Sequence, residues 1–208
     1  MTNIFNHANF MKHRKPTLDR RNAVADILKQ RGDALVVAGL GAPTWDTAAA
    51  GDHALNFYTW GGMGGAAMIG LGLALAQPKR RVLVITGDGE LLMGLGSLAT
   101  ICVQQPRNLA VIVMDNEHYG ETGMQETHTR FGVELAGMAK SAGFRATGTV
   151  FTAAQLKTWI PRIYKQAGPV FAAIKVTTRP APLVLPVRDG PTLRNRFREA
   201  LLGNRAYE

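Results

Sequence analysis

The sequence predicts a doubly wound α/β fold, a parallel sheet with helices on both faces. Three observations carry this expectation. Short runs rich in β-branched residues recur along the chain, helix-like segments separate most of them, and the runs are apolar throughout rather than alternating. Strands that are apolar on both sides must be covered on both sides, and the helices between them supply that cover.

Element by element, a polar arm over 1–16 precedes a helix through LDRRNAVADILKQR, with Thr17 placed to cap it and Gly32 to end it. ALVVAG is a short buried strand. Pro43, Thr44 and Trp45 read as a loop leading to LNFYTW, a second strand, which feeds the GGMGG turn and an apolar, glycine-rich helix. RVLVITG, LAVIVMD, FRATGTV and VFAAIKVT are further strands, with helices expected over 97–104, 134–141 and 153–166. The domain so defined runs over 17–178. From 179 onward proline and arginine become frequent, which predicts a basic tail with a helix near 194–202, a partner-binding arm rather than a separate domain.

A chain of 208 residues is long enough for one substantial α/β domain and too short for two large ones. Its single cysteine, Cys102, excludes a disulfide framework or a cysteine-based metal site within the chain and points to a reducing compartment, the cytoplasm. The most apolar segment, MGGAAMIGLGLALA, falls short of the roughly 20 residues that cross a bilayer, so no membrane association is expected. The formal charge of +9 fits an anionic substrate, an anionic cofactor or an acidic partner. No aromatic-interleaved basic motif accompanies it, so a nucleic-acid partner is not expected.

The stretch from Val82 to Gly120 poses a chemical question. A glycine-rich turn between a strand and a helix normally cradles phosphate with backbone N–H groups, yet Gly87, Asp88 and Gly89 put a carboxylate there, which repels phosphate. In a doubly wound sheet, ligands bind beyond the carboxyl ends of the strands. Asp88 follows one strand, Asp115 and Asn116 follow the next, and neighbouring strands lie about 5 Å apart. Side-chain oxygens of Asp88 and Asn116 can then meet at one ion. A magnesium ion wants six oxygens and takes most of them from phosphates and water, so the aspartate holds the metal that holds the phosphate. An isolated GDG is otherwise an ordinary turn, and the dinucleotide alternative is weakened by Leu92, which stands where a third glycine belongs.

GDG at Gly87, with DN closing the span at Asn116, resembles the cofactor motif of the thiamine diphosphate-dependent enzymes, in their diphosphate-binding domain, over roughly 35–176. The resemblance implies thiamine diphosphate and magnesium as cofactors, with Asp88, Asn116 and the backbone carbonyl of His118 as metal ligands. It implies cofactor contacts from Thr44 in GAPT and from Gly87, Gly89, Glu90, Tyr119 and Gly120. TWGGMGG resembles the segment in which Gly61 accepts a hydrogen bond from the aminopyrimidine and Met63, beside Gly62, wedges the cofactor into its bent form. Simple core packing is the other reading of Met63. Within that family the chain resembles the β chain of sulfopyruvate decarboxylase and the corresponding half of phosphonopyruvate decarboxylase, which share DN and a YGxTGxQ-like loop, here YGETGMQETHT. Pyruvate-type decarboxylases carry their catalytic glutamate at what is here Thr122, so Glu121 is a candidate for catalysis or a solvated loop carboxylate.

The family's activating glutamate belongs to a separate pyrimidine-binding domain, for which about thirty residues before Leu35 leave no room. The expectation is therefore half an enzyme: a cofactor-binding subunit acting on a small 2-oxo acid, in a hetero-oligomer with an α-type pyrimidine-binding partner. The alternatives are the β subunit of a 2-oxoacid:ferredoxin oxidoreductase, an acetolactate synthase-type carboligase, and a noncatalytic cofactor-binding or basic nucleic-acid-binding protein.

Overall fold

The computed structural model describes residues 15–207. Its centre is a sheet of six parallel strands in the order β2-β1-β3-β4-β8-β7. β1 (Leu35–Ala38), β3 (Val82–Gly87), β4 (Leu109–Asp115) and β8 (Val170–Lys175) form its interior, and β2 (Asn56–Tyr58) and β7 (Ala146–Val150) its edges. Successive residues of an interior strand enter opposite layers. Leu35, Val37, Val82, Val84, Val111 and Val113 pack into one layer. Val36, Leu83, Ile85, Ala110 and Ile112 pack into the other. The doubly wound expectation holds.

Helices α3 (Ala66–Ala76), α5 (Ser97–Gln104) and α6 (Leu135–Ala142) cover the first layer, and α1 (Arg20–Leu28) and α7 (Ala153–Lys165) the second. The glycines of α3 let it sit close on the sheet: a Cβ on Gly70 would lie 2.1 Å from a methyl carbon of Val84. Cys102 on α5 is half-buried against the first layer, and burial pushes its thiol above the usual range.

Three local expectations are corrected. The cap of α1 is Asp19, whose carboxylate accepts from the N–H of Asn22 at 2.9 Å. Thr17 cannot serve, because Leu18 bridges Val176 and holds the chain extended, while the Thr17 hydroxyl donates to the Phe151 carbonyl. The residues read as a loop at 43–45 belong to α2 (Ala42–Ala49), where Pro43 occupies the first turn, a position that suits its fixed φ and missing N–H. The last helix, α8 (Gly190–Leu202), starts four residues before the expected 194 because Asp189 caps it through the N–H of Thr192.

The tail packs on the domain. Leu193 and Phe197 of α8 are buried, the Phe197 ring meets Phe57 edge-on at 5.6 Å, and Arg196 pairs with Asp52 at 2.6 Å. On the way, Val187 accepts a hydrogen bond from the Trp60 indole. The polar arm expected over 1–16 lies outside the described residues except for its last two.

The chain leaves β1 toward β2 on one side and returns to β3 on the other, so the strand order reverses between β1 and β3. Crevices at such switch points, outside the carboxyl ends, are where open α/β sheets bind ligands.

Candidate active site

β3 and β4 pair in register with Gly87 beside Met114, so the residues that follow, Asp88 and Asp115, emerge side by side at the carboxyl edge. Asp88 opens the short helix α4 (Asp88–Met93). Past β4, the chain turns at Asn116 and Glu117 into a small hairpin of β5 (His118–Tyr119) and β6 (Gln125–Glu126), then a 3-10 turn over His128–Phe131. That return brings Thr127 and Thr129 onto the two aspartates.

The two carboxylates share one hydroxyl network, in which Thr127 and Thr129 lie 2.9 Å apart and Thr129 also approaches Asp88 Oδ2 at 3.3 Å. The hydroxyl of Thr127 donates to Asp88 Oδ2 at 2.6 Å, and that of Thr129 to Asp115 Oδ1 at 2.8 Å. Asp115 also receives Lys175 at 2.8 Å, and Lys175 reaches Glu117 at 2.9 Å. Burial alone would lower the Lys175 ammonium, but these two carboxylates raise it. Glu117 is further approached by Arg130 at 3.8 Å. Asp88 has no lysine or arginine partner among the described residues, although it is 1% exposed. Burial first, then the neighbouring Asp115, push its carboxyl up to about 7.

This charge arrangement leaves an opening for a cation. Asp88, Asp115, Glu117 and Glu126, which Arg130 meets at 3.1 Å, face two cations, Lys175 and Arg130, so negative charge is in excess, and Asp88 has no basic partner among the described residues. A divalent ion at Asp88 relieves its desolvation cost. Among the described residues no three His, Cys, Asp or Glu side chains are grouped to hold a metal. An ion there would complete its shell from an amide, a backbone carbonyl, water and ligand oxygens, the habit of magnesium. Asn116 and His118 stand beside Asp88 on the same cavity wall. The Asn116 side-chain oxygen accepts the N–H of His118 at 3.0 Å, which fixes the turn and keeps a second lone pair available.

The cavity above these residues has a volume of about 630 Å³, within the range of about 300–1,000 Å³ usual for small-molecule sites. Met63, Gly87, Asp88, Gly89, Glu90, Asn116, His118, Tyr119, Gly120 and Glu121 all line it. Met63 is 39% exposed, so it faces the cavity and is not core. Glu90 turns down between β1 and β3, where one carboxylate oxygen accepts from Thr86 at 2.7 Å and burial pushes its carboxyl above the usual range. Glu121, on the hairpin, occupies the space a side chain on Gly41 would need, over the start of α2. Gly61 and Gly62 lie off the cavity wall. So does Thr44, which is buried with its hydroxyl donated to the Gly39 carbonyl at 2.7 Å.

Sequence reasoning missed Arg20, Trp45, Lys175 and the two threonines. Lys175 carried one signal: a lone lysine near the carboxyl end of an otherwise apolar strand, VFAAIKVT. Changing Lys175 to methionine strands two carboxylates in a buried patch and is expected to cost about 3–5 kcal/mol. A denaturant midpoint equal to the wild type's would contradict that role.

Residues 41–174 match the family described as thiamine pyrophosphate enzyme, C-terminal TPP binding domain. The chain belongs to the thiamine pyrophosphate enzyme family. The match runs from the start of α2 to the end of β8, so it takes in Asp88, Asn116 and the cavity floor. Within this family the chain is 38% identical over 172 residues to the protein named sulfopyruvate decarboxylase subunit beta of Methanothermobacter thermautotrophicus, covering 83% of this chain and 88% of that one. It is 43% identical over 114 residues to the phosphonopyruvate decarboxylase of Streptomyces viridochromogenes, covering 55% of this chain and 28% of that longer one. Among solved structures, the thiamine diphosphate-dependent 4-hydroxybenzoylformate decarboxylase of Rhodococcus jostii RHA1 superposes with a TM-score of 0.67 at 18% identity, over 83% of this chain and 36% of the other. At that identity the likeness speaks for the fold. No helix among the described residues is long and apolar enough to cross a membrane.

Proposed function

We propose that this member of the thiamine pyrophosphate enzyme family is the diphosphate- and metal-binding subunit of a decarboxylase acting on a 2-oxo acid with a second anionic group, of the sulfopyruvate or phosphonopyruvate kind. The observation that carries the reading is Asp88: a buried carboxylate without a basic partner among the described residues, facing a cavity at the switch point of the sheet. Asp88, Asn116 and the His118 carbonyl hold magnesium, and Gly87, Gly89, Tyr119, Gly120 and the backbone of Glu90 frame the diphosphate. When bound, thiamine diphosphate supplies the carbon nucleophile and the electron sink that loss of carbon dioxide requires.

Met63 projects from a turn with glycine on each side and gives the cofactor's middle an apolar surface to bend over. Gly61 keeps a carbonyl that receives no hydrogen bond among the described residues, which suits it to an amino group. Glu121 is the exposed carboxylate of the cavity wall and the one placed to handle protons at its mouth. Exchange of the cofactor's C2 hydrogen in deuterated buffer reads the wedge: Met63→Ala slows exchange by more than it weakens cofactor binding, and exchange at the wild-type rate removes Met63 from the mechanism.

A pyrimidine-binding partner completes the site. Two features support it. The chain spans most of a protein named as a β subunit but about a quarter of a relative that carries the decarboxylase name without a subunit designation. Met63, Met68 and Met93 are exposed on and near the GGMGG turn, an apolar surface that a partner would cover. Product analysis on the assembled complex tests the reaction class. Carbon dioxide and an aldehyde from sulfopyruvate or phosphonopyruvate support the decarboxylase; reduced ferredoxin or an acetolactate-type condensation product from those acids would overturn it.

A further inference from the structure

We propose that Arg20, a residue outside the family-matched segment, binds a tetrahedral oxyanion in the cavity: a phosphate, phosphonate or sulfonate group. The inference rests on the proposed function for its ligands but on separate residues for its geometry.

Among the described residues, Arg20 is the one arginine or lysine that lines the cavity. It stands at the start of α1, where the bridge between Leu18 and Val176 pins the chain beside the carboxyl end of β8. Its Nε donates to Asp46 Oδ2 at 2.7 Å, and Arg21 Nε donates to the other oxygen, Oδ1, at 3.0 Å. Asp46 is 1% exposed and lies on α2, one turn from the helix start. One carboxylate is thus shared by two guanidinium groups, and the cluster carries one unbalanced positive charge.

That charge is on Arg20. Its two Nη nitrogens have no hydrogen-bond partner among the described residues, the side chain is 14% exposed, and its neighbours on the wall are Leu40, Pro43 and Trp45. Trp45 is itself braced by Trp60 at 5.3 Å between ring centroids. A clamp between α1 and α2 needs one arginine, which Arg21 provides from outside the cavity. A second, largely desolvated guanidinium is costly unless an anion meets it. With Nε held by Asp46, the remaining N–H groups form a fixed fork that suits two oxygens of one tetrahedral group. The other charged or titratable groups on the wall, among the described residues, are Asp88, Glu90, His118, Tyr119 and Glu121. Asp88 is matched by the proposed metal, so Arg20 is the permanent cation left for a ligand's own charge.

Two sources supply such a group: the terminal phosphate of the cofactor and the second anion of the substrate. Calorimetric titrations of the full chain separate them, with pyrophosphate and thiamine diphosphate as probes in magnesium, and with phosphonoacetate added to cofactor-loaded protein. Arg20→Gln keeps a donor for Asp46 and removes the charge, while Arg21→Gln breaks the same clamp away from the cavity.

Arg20→Gln is expected to weaken at least one probe by about 10- to 100-fold, the worth of a charge-assisted pair, and Arg21→Gln to weaken none. Loss confined to pyrophosphate and thiamine diphosphate assigns Arg20 to the cofactor; loss confined to phosphonoacetate assigns it to the substrate. Equal effects of both variants, or no effect of either, reduce the pair to a structural clamp and overturn the proposal, as does a wild-type chain that binds none of the probes. If the wild type binds thiamine diphosphate and Arg20→Gln binds every probe as well, this inference fails and the cofactor reading stands. Arginine-dependent binding of pyrophosphate without binding of thiamine diphosphate supports the oxyanion site and overturns the cofactor reading.

Discussion

Asp88→Ala is expected to lower the magnesium-dependent affinity for thiamine diphosphate by roughly 100-fold or more, since even the outer partners of metal ligands are worth about 10–100-fold. Folding should survive the change. Asp88 is buried, lacks a basic partner among the described residues and has its carboxyl pushed up to about 7, first by burial and then by Asp115, so as an anion it burdens the cofactor-free fold. Alanine removes that burden along with the hydrogen bond from Thr127. Calorimetric titration with magnesium and with a chelator, alongside a denaturation curve, checks both halves of the expectation. Unchanged affinity in the variant contradicts the metal assignment, and an unfolded variant contradicts the electrostatic account of Asp88.

The chain saturated with thiamine diphosphate and magnesium is expected to turn over no 2-oxo acid until a pyrimidine-binding partner is added. Activation of the cofactor needs a carboxylate in hydrogen-bond reach of its ring nitrogen, and positioned general acid–base groups contribute about 10²–10⁴-fold. Of the carboxylates along this cavity, Asp88 is engaged at the strand edge and Glu90 with Thr86 in the crevice beside Gly39, while Glu121 stands exposed over Gly41. The exposed methionines near the GGMGG turn predict that the lone chain self-associates and that the partner disperses it. Robust turnover by a preparation free of copurifying subunits would falsify the half-enzyme reading and direct attention to Glu121 and Glu126.

The strands are legible because interior strands of a parallel sheet are buried on both faces and appear as unbroken apolar runs. β4 reads as LAVIVMD, and all seven of its residues are buried. Helix α2 is not legible because Gly41, Pro43 and Thr44 are turn-forming residues, and the contacts that seat the helix, the burial of Thr47 and Ala48 and the pairing of Asp46 with Arg20 and Arg21, are tertiary. At the site, the meeting of Asp88 with the Asp115–Asn116 turn follows from one assumption, that two consecutive strands are neighbours, and their register satisfies it. Thr127, Thr129, Lys175 and Arg20 come from a loop return, a far strand and a helix on the opposite face. Sequence spacing holds no record of such meetings. Thr44 shows the converse: a residue chosen for its motif that spends its hydroxyl on the Gly39 carbonyl.

The claim that this chain is the metal–diphosphate half of a thiamine diphosphate site is tested most directly by titrating it with thiamine diphosphate and with unphosphorylated thiamine, each in magnesium and in chelator. Every chain-borne contact proposed for the floor of the cavity is to the metal or the diphosphate, so binding is expected with thiamine diphosphate in magnesium and to be lost or greatly weakened in the other three conditions. Thiamine that binds as tightly as its diphosphate, or binding of the diphosphate that ignores the chelator, would contradict it.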